Sequence, residues 1–343
     1  MKDAVIGIDL CGIFTKFGII SMEGDILVES AVHTDLTDDF NIYISSLINA
    51  IDKTLVEIGN SVSIKGIGIG APNANYKRGS IEFAPNLKWA RNKVVYLAVP
   101  LQEHFRVPVV TTNNANAAAI GEMIYGNAKG VKNFFLVNLG MGLGSGIVVN
   151  GELVYGYDGF AGEIGHTCAK NNGRLCGCGQ RGCLETYVSI QGIKRTVFEL
   201  LVDYNGGSSL SKYSFDELTP EMIYKAASDG DKIALEAFRI TGEILGIQLA
   251  DSVAYFSPEK IFIFGSLARS GDFILKPTRE SFEKNLFKIF KGKISIELSS
   301  LECSVYTVLA KTINSIPIEL SSIAEGNVGM LGASALIWQE LKD

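Results

Sequence analysis

Residues 4–10, AVIGIDL, form a continuous apolar run, the pattern of a strand buried on both faces. The following stretch FGIISMEGDILVESAVHT predicts two more strands with a turn at Glu23, Gly24 and Asp25. Between 39 and 59 the period changes. Apolar residues fall at Ile42, Leu47, Ile48, Ile51, Leu55 and Ile58, which predicts an amphipathic helix covering those strands. A second buried strand is expected over 64–72 (IKGIGIGAP), then a loop through IEFAPNLKW and a helix over 94–106.

A third apolar run, at 107–112, leads into Asn113 and Asn114 and then an alanine-rich helix. Residues 134–156 predict a strand, a glycine turn and a hairpin closed by Asn150 and Gly151, a pair suited to a two-residue turn. Helices are expected over 190–203, 219–228 and 231–255, a buried strand over 261–265, a helix after Gly271 and Asp272, and a last helix over 327–341. The tetrapeptide ELSS occurs at 297–300 and again at 319–322, too short a repeat to argue more than chance. Alternating strands and helices over 343 residues predict an α/β protein of two domains, each with its own core.

Composition narrows the function classes. Apolar residues make up 47% and charged residues 20%, with only 8 prolines, so no disordered linker is expected. The net charge of −6, without a long Lys/Arg block beyond pairs such as Lys291 and Lys293, argues against direct nucleic-acid binding. No apolar run approaches the roughly 20 residues that span a bilayer, and Asp3 and Asp9 interrupt the N-terminus where a signal peptide is apolar. A cytoplasmic protein with reduced thiols is the expectation, with no membrane partner.

Three of the six cysteines, Cys176, Cys178 and Cys183, lie within eight positions, and one of only three histidines, His166, precedes them by ten. Glycines at 177, 179 and 182 permit the tight turns that let ligands from one segment converge. His, Cys, Cys, Cys is a four-ligand set for structural zinc, and four protein ligands leave no open position for a catalytic water. Buried apolar cysteines or a disulfide are the alternative. His33 and His104 lack such neighbours and are expected to be structural or exposed.

The run Glu163, Gly165, His166 followed by CGCGQRGCLE, ending at Glu185, resembles the signature of the ROK family of bacterial sugar kinases and sugar-responsive repressors. The likeness extends from GIDLCGIFTKFG to LGASALIWQEL. It implies a two-domain actin-like (ribonuclease H-like) α/β kinase fold with an interdomain cleft. A small domain would span 1–112 plus 327–343 and a large one 113–326. Activity, by resemblance, is ATP- and Mg²⁺-dependent phosphorylation of glucose or a related hexose, in a homo-oligomer. Asp9 would position the hydrated metal, and Gly12, Gly140, Gly142, Gly144 and Gly265 would line the nucleotide. Asn86, Asn113, Asn114, Glu163, His166 and Glu185 would contact the sugar, with zinc fixing the loop that carries the last three. The family's repressors carry a winged helix domain ahead of the first strand. Here that strand begins at residue 4, so none is expected.

Several positions depart from the family pattern. Cys11 and Ile13 replace a glycine and a threonine of the first phosphate loop, and Met141 replaces a threonine of the second. Asn114 stands where the family has the aspartate that takes the proton from the attacking hydroxyl. An amide holds a hydroxyl but cannot accept its proton at neutral pH, and losing a positioned base costs on the order of 10² to 10⁴ in rate. Helix capping is the plain alternative for Asn113 and Asn114. The expectation is a kinase of reduced activity or, alternatively, a non-catalytic sugar-binding sensor or regulatory paralogue.

Overall fold

The structure is a computed structural model, and it describes residues 1–203, 207–300 and 328–341. Contacts divide the chain into two compact units: Met1–Gly130 with Leu153–Ala161 and Ser299–Asp343, and Val131–Glu152 with Gly162–Leu298. The second ELSS, at 319–322, lies outside the described residues.

The first unit is built on strands β1 (Lys2–Leu10), β2 (Phe14–Ser21), β3 (Ile26–His33), β4 (Val62–Ala71) and β8 (Val109–Asn113), in the order β3-β2-β1-β4-β8. β1 pairs antiparallel with β2 and parallel with β4. The apolar run at 4–10 is continuous because both its faces are covered. Ile6, Ile8 and Leu10 meet Tyr43, Ile44, Leu47 and Ile51 of helix α1 (Phe40–Ile58). Val5 meets Met330, Ile337 and Trp338 of the last helix, α8 (Val328–Glu340). At Gly7 and Gly68 a Cβ would lie 2.2 Å from Met330 O and 1.7 Å from Ala333 O, so only glycine lets α8 lie this close to the sheet.

Three expectations are corrected here. The buried stripe of α1 centres on Tyr43, whose hydroxyl lies 2.7 Å from Thr15 Oγ1, and Ile42 is exposed. The helix expected over 94–106 is α2 (Ala98–Phe105) only. Val94–Val95 is strand β7, paired with β6 (Ser80–Glu82), which pairs in turn with β5 (Ala74–Asn75). Helix α3 (Asn114–Ile124) belongs to the first unit, not to the large domain expected from 113 onward, because it packs on α8 and β4. Residues 153–161 join this unit as well. Asn75 Nδ2 donates to Asp158 O (2.8 Å), and Lys77 Nζ donates to Gly156 O and Tyr157 O (2.7 Å each).

The second unit repeats the plan. Strands β9 (Phe134–Leu139), β10 (Leu143–Val149), β11 (Glu152–Leu153), β12 (Lys260–Phe264) and β13 (Ser295–Leu298) run in the order β11-β10-β9-β12-β13. As in the first unit, a hairpin comes first, antiparallel from β9 to β10, and parallel strands are added on its other side. Helices α4 (Ile190–Asp203), α5 (Pro220–Ser228), α6 (Lys232–Phe256) and α7 (Asp272–Asn285) accompany this sheet. α6 and α7 approach closely because Gly242 faces Pro277, where a Cβ would sit 2.6 Å from the ring. No described helix is long and apolar enough to cross a membrane.

Candidate functional site

In the first unit the chemistry gathers at the carboxyl end of β1. Asp9 is half-buried there, and desolvation raises its carboxyl above the ordinary range. Asn114, the first residue of α3, donates from Nδ2 to Asp9 Oδ1 (3.3 Å) and to Leu10 O (3.1 Å). The Cys11 thiol lies 3.7 Å from Asp9 Oδ1 and 3.9 Å from Asn114 Nδ2, filling the space beside the carboxylate. Asn114 Oδ1 is buried without a hydrogen-bond partner among the described residues.

The turn after β1 is held from below. Cys11 N donates to Phe14 O and Thr34 N to Ile13 O, while Thr15, Thr34 and Tyr43 form a buried hydroxyl cluster. Ile13 points outward at 61% exposure. Asn86 lies on an exposed loop anchored by Trp89, whose Nε1 donates to Thr34 O. Gly12 faces this loop, and a Cβ there would be 3.3 Å from Asn86 O. Asn113 is the N-cap of α3, its Oδ1 accepting from Asn116 N at 2.9 Å. Capping therefore holds for Asn113, whereas the Asn114 side chain turns to Asp9.

In the second unit the β9–β10 turn and the cysteine loop share one carboxylate. Glu185 Oε2 accepts from Leu143 N (3.1 Å), and Oε1 lies 3.7 Å from Cys176 Sγ. Gly142, expected at the nucleotide, faces this carboxylate so closely that a Cβ would come within 2.2 Å of Oε2. Gly140 N donates to Gly142 O, Gly144 pairs with Asn138 across the hairpin, and Met141 is 59% exposed at its tip. Gly265, at φ +105°, approaches the end of β9, where a Cβ would be 2.5 Å from Leu139 O. Glu163 caps the short 3-10 helix Ile164–His166, and a second such helix, Leu184–Thr186, carries Glu185 and packs against it.

The four expected ligands converge. His166 Nδ1 lies 3.7 Å from Cys176 Sγ, Cys178 Sγ lies 3.6 Å from Cys183 Sγ, and all four ligand atoms fall within 4.8 Å of one another. One metal ion could be shared by donors this close. Burial pushes the Cys176 thiol up to about 12 and raises Cys183 as well. Burial works against Cys178 too, yet the backbone N–H of Gln180 and the two neighbouring thiols draw it down.

With this geometry in hand, the sequence profile of the ROK family matches residues 5–305. The chain belongs to the ROK family. Among its relatives, the glucokinase of Halalkalibacterium halodurans is 35% identical over 282 residues, 81% of this chain and 84% of that protein. The xylose repressor of Caldicellulosiruptor bescii is 31% identical over 301 residues, 87% of this chain and 75% of that one. A ROK glucokinase of Streptomyces griseus, solved with glucose and AMPPNP, superposes with a TM-score of 0.76 at 28% identity, covering 98% and 99% of the two chains. The fold is therefore the actin-like ATPase fold of the ROK sugar kinases. Sequence reasoning missed the Leu143 N–H as partner of Glu185 and missed Arg174, which grips the cysteine loop. An arginine two residues before a CxC run was the signal available for the latter.

Proposed function

We propose that this ROK protein binds a hexose through Glu163, His166 and Glu185, aided by Asn86 and Asn113, and transfers phosphate from ATP to it at a reduced rate. The observation that carries the reading is the Asn114 amide. Its nitrogen is committed as a donor to Asp9 and Leu10, so the group at the family's base position takes no proton. Losing such a base costs about 10²- to 10⁴-fold. The glucose and AMPPNP bound by the Streptomyces griseus relative support hexose and ATP as ligands.

A structural zinc fits the His166, Cys176, Cys178 and Cys183 set. Tetrahedral Zn–S and Zn–N bonds of about 2.3 and 2.0 Å put sulfur atoms roughly 3.8 Å apart and nitrogen about 3.5 Å from sulfur. The separations of 3.6 and 3.7 Å agree with that tetrahedron. All four donors belong to the protein, so the ion would organise the loop and leave chemistry to other groups. For Mg²⁺ and ATP, Asp9 is the carboxylate available to a hydrated cation, and Gly12, Gly140, Gly142, Gly144 and Gly265 are the positions that the family resemblance assigns to phosphates and nucleoside. Mg²⁺ would supply neutralisation of phosphate charge there. This chain's part is to place Asp9 and keep Asn114 against it.

A non-catalytic sugar sensor is the second reading, favoured by Cys11 beside Asp9 and by the similarity to a xylose repressor. Coupled assay of ADP release with glucose, mannose and N-acetylated hexosamines separates the two. Turnover at least about 10²-fold below the roughly 1–100 s⁻¹ of ordinary kinases supports the attenuated enzyme, none at all the sensor, and a rate inside that range overturns both. Calorimetry with the same sugars and no nucleotide tests binding, and the absence of heat for every hexose removes the sugar site. Elemental analysis is expected to give one zinc per chain, falling by more than half in Cys178→Ser.

A further inference from the structure

Arg174 precedes Cys176 by two residues, and its side chain is only 10% exposed. A guanidinium has five N–H donors in a rigid plane, and here each has an acceptor. Nε and Nη2 reach the two oxygens of Glu199 (2.9 and 2.6 Å), Nη1 reaches Thr186 O (2.7 Å) and Gly192 O (3.0 Å), and Nη2 also reaches Thr196 Oγ1 (2.9 Å). The plane lies over the Tyr187 ring at 4.5 Å, and the Tyr187 hydroxyl accepts from Arg174 N at 3.0 Å. One residue thus ties the start of the thiol loop to Thr186, the neighbour of Glu185, and to α4.

The loop also closes on itself through its backbone. Gly182 N donates to Arg174 O, Cys176 N to Gln180 O and Gly179 N to Cys176 O, while Leu175 bridges Arg181. Gly182 packs directly on Lys170, where a Cβ would lie 1.8 Å from the carbonyl oxygen. None of these contacts uses a ligand side chain.

We propose that Arg174 is a positioning residue: it sets the thiol loop and the adjoining Glu185 in place independently of any bound ion. The inference rests on the metal and sugar roles proposed above. It assigns orientation of Glu185 to the guanidinium and leaves to the ion only added stability. Lysine cannot substitute, because an ammonium is a point charge and lacks the planar fork.

The test uses the full chain, the wild type against Arg174→Lys and Glu199→Gln. In chelator-treated wild type, backbone amides of residues 174–186 are expected to stay protected from hydrogen exchange and glucose affinity to hold within about threefold. Arg174→Lys, which keeps charge and stem, is expected to lose that protection and to bind Co²⁺, followed by its thiolate charge-transfer band, roughly 10- to 100-fold more weakly, the usual range for loss of a partner that orients metal ligands. Glu199→Gln removes one of the two acceptors on the exposed Glu199 side chain and leaves the bonds to Thr186 O, Gly192 O and Thr196 Oγ1, so it should change Co²⁺ affinity by less than about threefold. Wild-type affinity and protection in Arg174→Lys would overturn the proposal, as would collapse of protection when the wild type is chelated. If the wild type takes up no Co²⁺, the metal reading falls alone, and the exchange comparison still decides the role of Arg174.

Discussion

Replacing Asn114 by aspartate restores a carboxylate at the base position, and the structure says what that costs. The amide nitrogen now donates to Asp9 Oδ1 at 3.3 Å and to Leu10 O at 3.1 Å. A carboxylate oxygen in its place turns both attractions into repulsions. Two unit charges about 3.3 Å apart, at an effective dielectric constant of about 20, repel by roughly 5 kcal/mol, equivalent to about 3 to 4 pH units on removal of the second proton. The pair then holds one shared proton well above the ordinary carboxylate range, as carboxylate dyads do. The regained base is worth about 10² to 10⁴, and less of it is realised at low pH, where the pair still holds the proton, than at high pH. Coupled ADP release with glucose, measured from pH 6 to 9 on wild type and Asn114→Asp, should show a ratio that exceeds one and climbs with pH. A ratio of one at pH 9 would refute the reasoning and place the defect at Cys11, Ile13 and Met141 instead.

Two further outcomes follow from the same pocket and from its counterpart at Glu185. Burial raises the Asp9 pKa, so the folded state holds that proton more tightly than the unfolded one. The stability Asp9 contributes is present below its unfolded value of 3.8 and drains away as pH rises through the raised folded value. Asp9→Asn keeps an acceptor for Asn114 Nδ2, so it should resist urea better than wild type at pH 7 and lose that advantage below pH 4; equal midpoint differences at both pH values would contradict the sign. Gly142→Ala drives a methyl against Glu185 Oε2, 2.2 Å from where the Cβ must sit, and separates the carboxylate from Leu143 N–H. Glucose affinity measured by calorimetry should fall about tenfold, the worth of one charge-assisted hydrogen bond, with zinc content unchanged, and an unaltered affinity would exclude Glu185 from the sugar contacts.

Much of this was legible in the sequence where local pattern and tertiary environment agree. β1 could be placed from its unbroken apolar run because helices α1 and α8 cover both faces, and the ligand set could be found because glycine-rich turns bring ligands near in sequence near in space. The small sheet β5-β6-β7 was not legible: its strands are two or three residues long, too short to show a period. Helical spacing fits Ile42 as well as Tyr43, and only the Thr15–Thr34–Tyr43 hydroxyl cluster decides which side faces in. Family resemblance assigned Gly142 to the nucleotide, and nothing local shows that the side chain crowding it is Glu185, 43 positions further on. Long-range partners of this kind leave no local trace.

The departures from the family pattern make physical sense when taken together. Two buried carboxylates in contact are tolerable only when a proton or a cation balances them. With asparagine at 114 that requirement disappears: one carboxylate, Asp9, remains, raised by burial and satisfied by an amide donor and a thiol. On the proposal of an attenuated enzyme, such a pocket would need no divalent cation to balance it, and the pressure to keep a glycine at 11 or hydroxyls at 13 and 141 for phosphate would be relaxed. In the second unit Met141 departs as well, while Glu185, its amide donor Leu143, the glycine beneath it and the four candidate ligand side chains are all in place. Selection on sugar recognition that outlasted selection on phosphoryl transfer would produce this asymmetry, whereas general decay would have struck the thiol loop, with its four interdependent ligands, at least as readily.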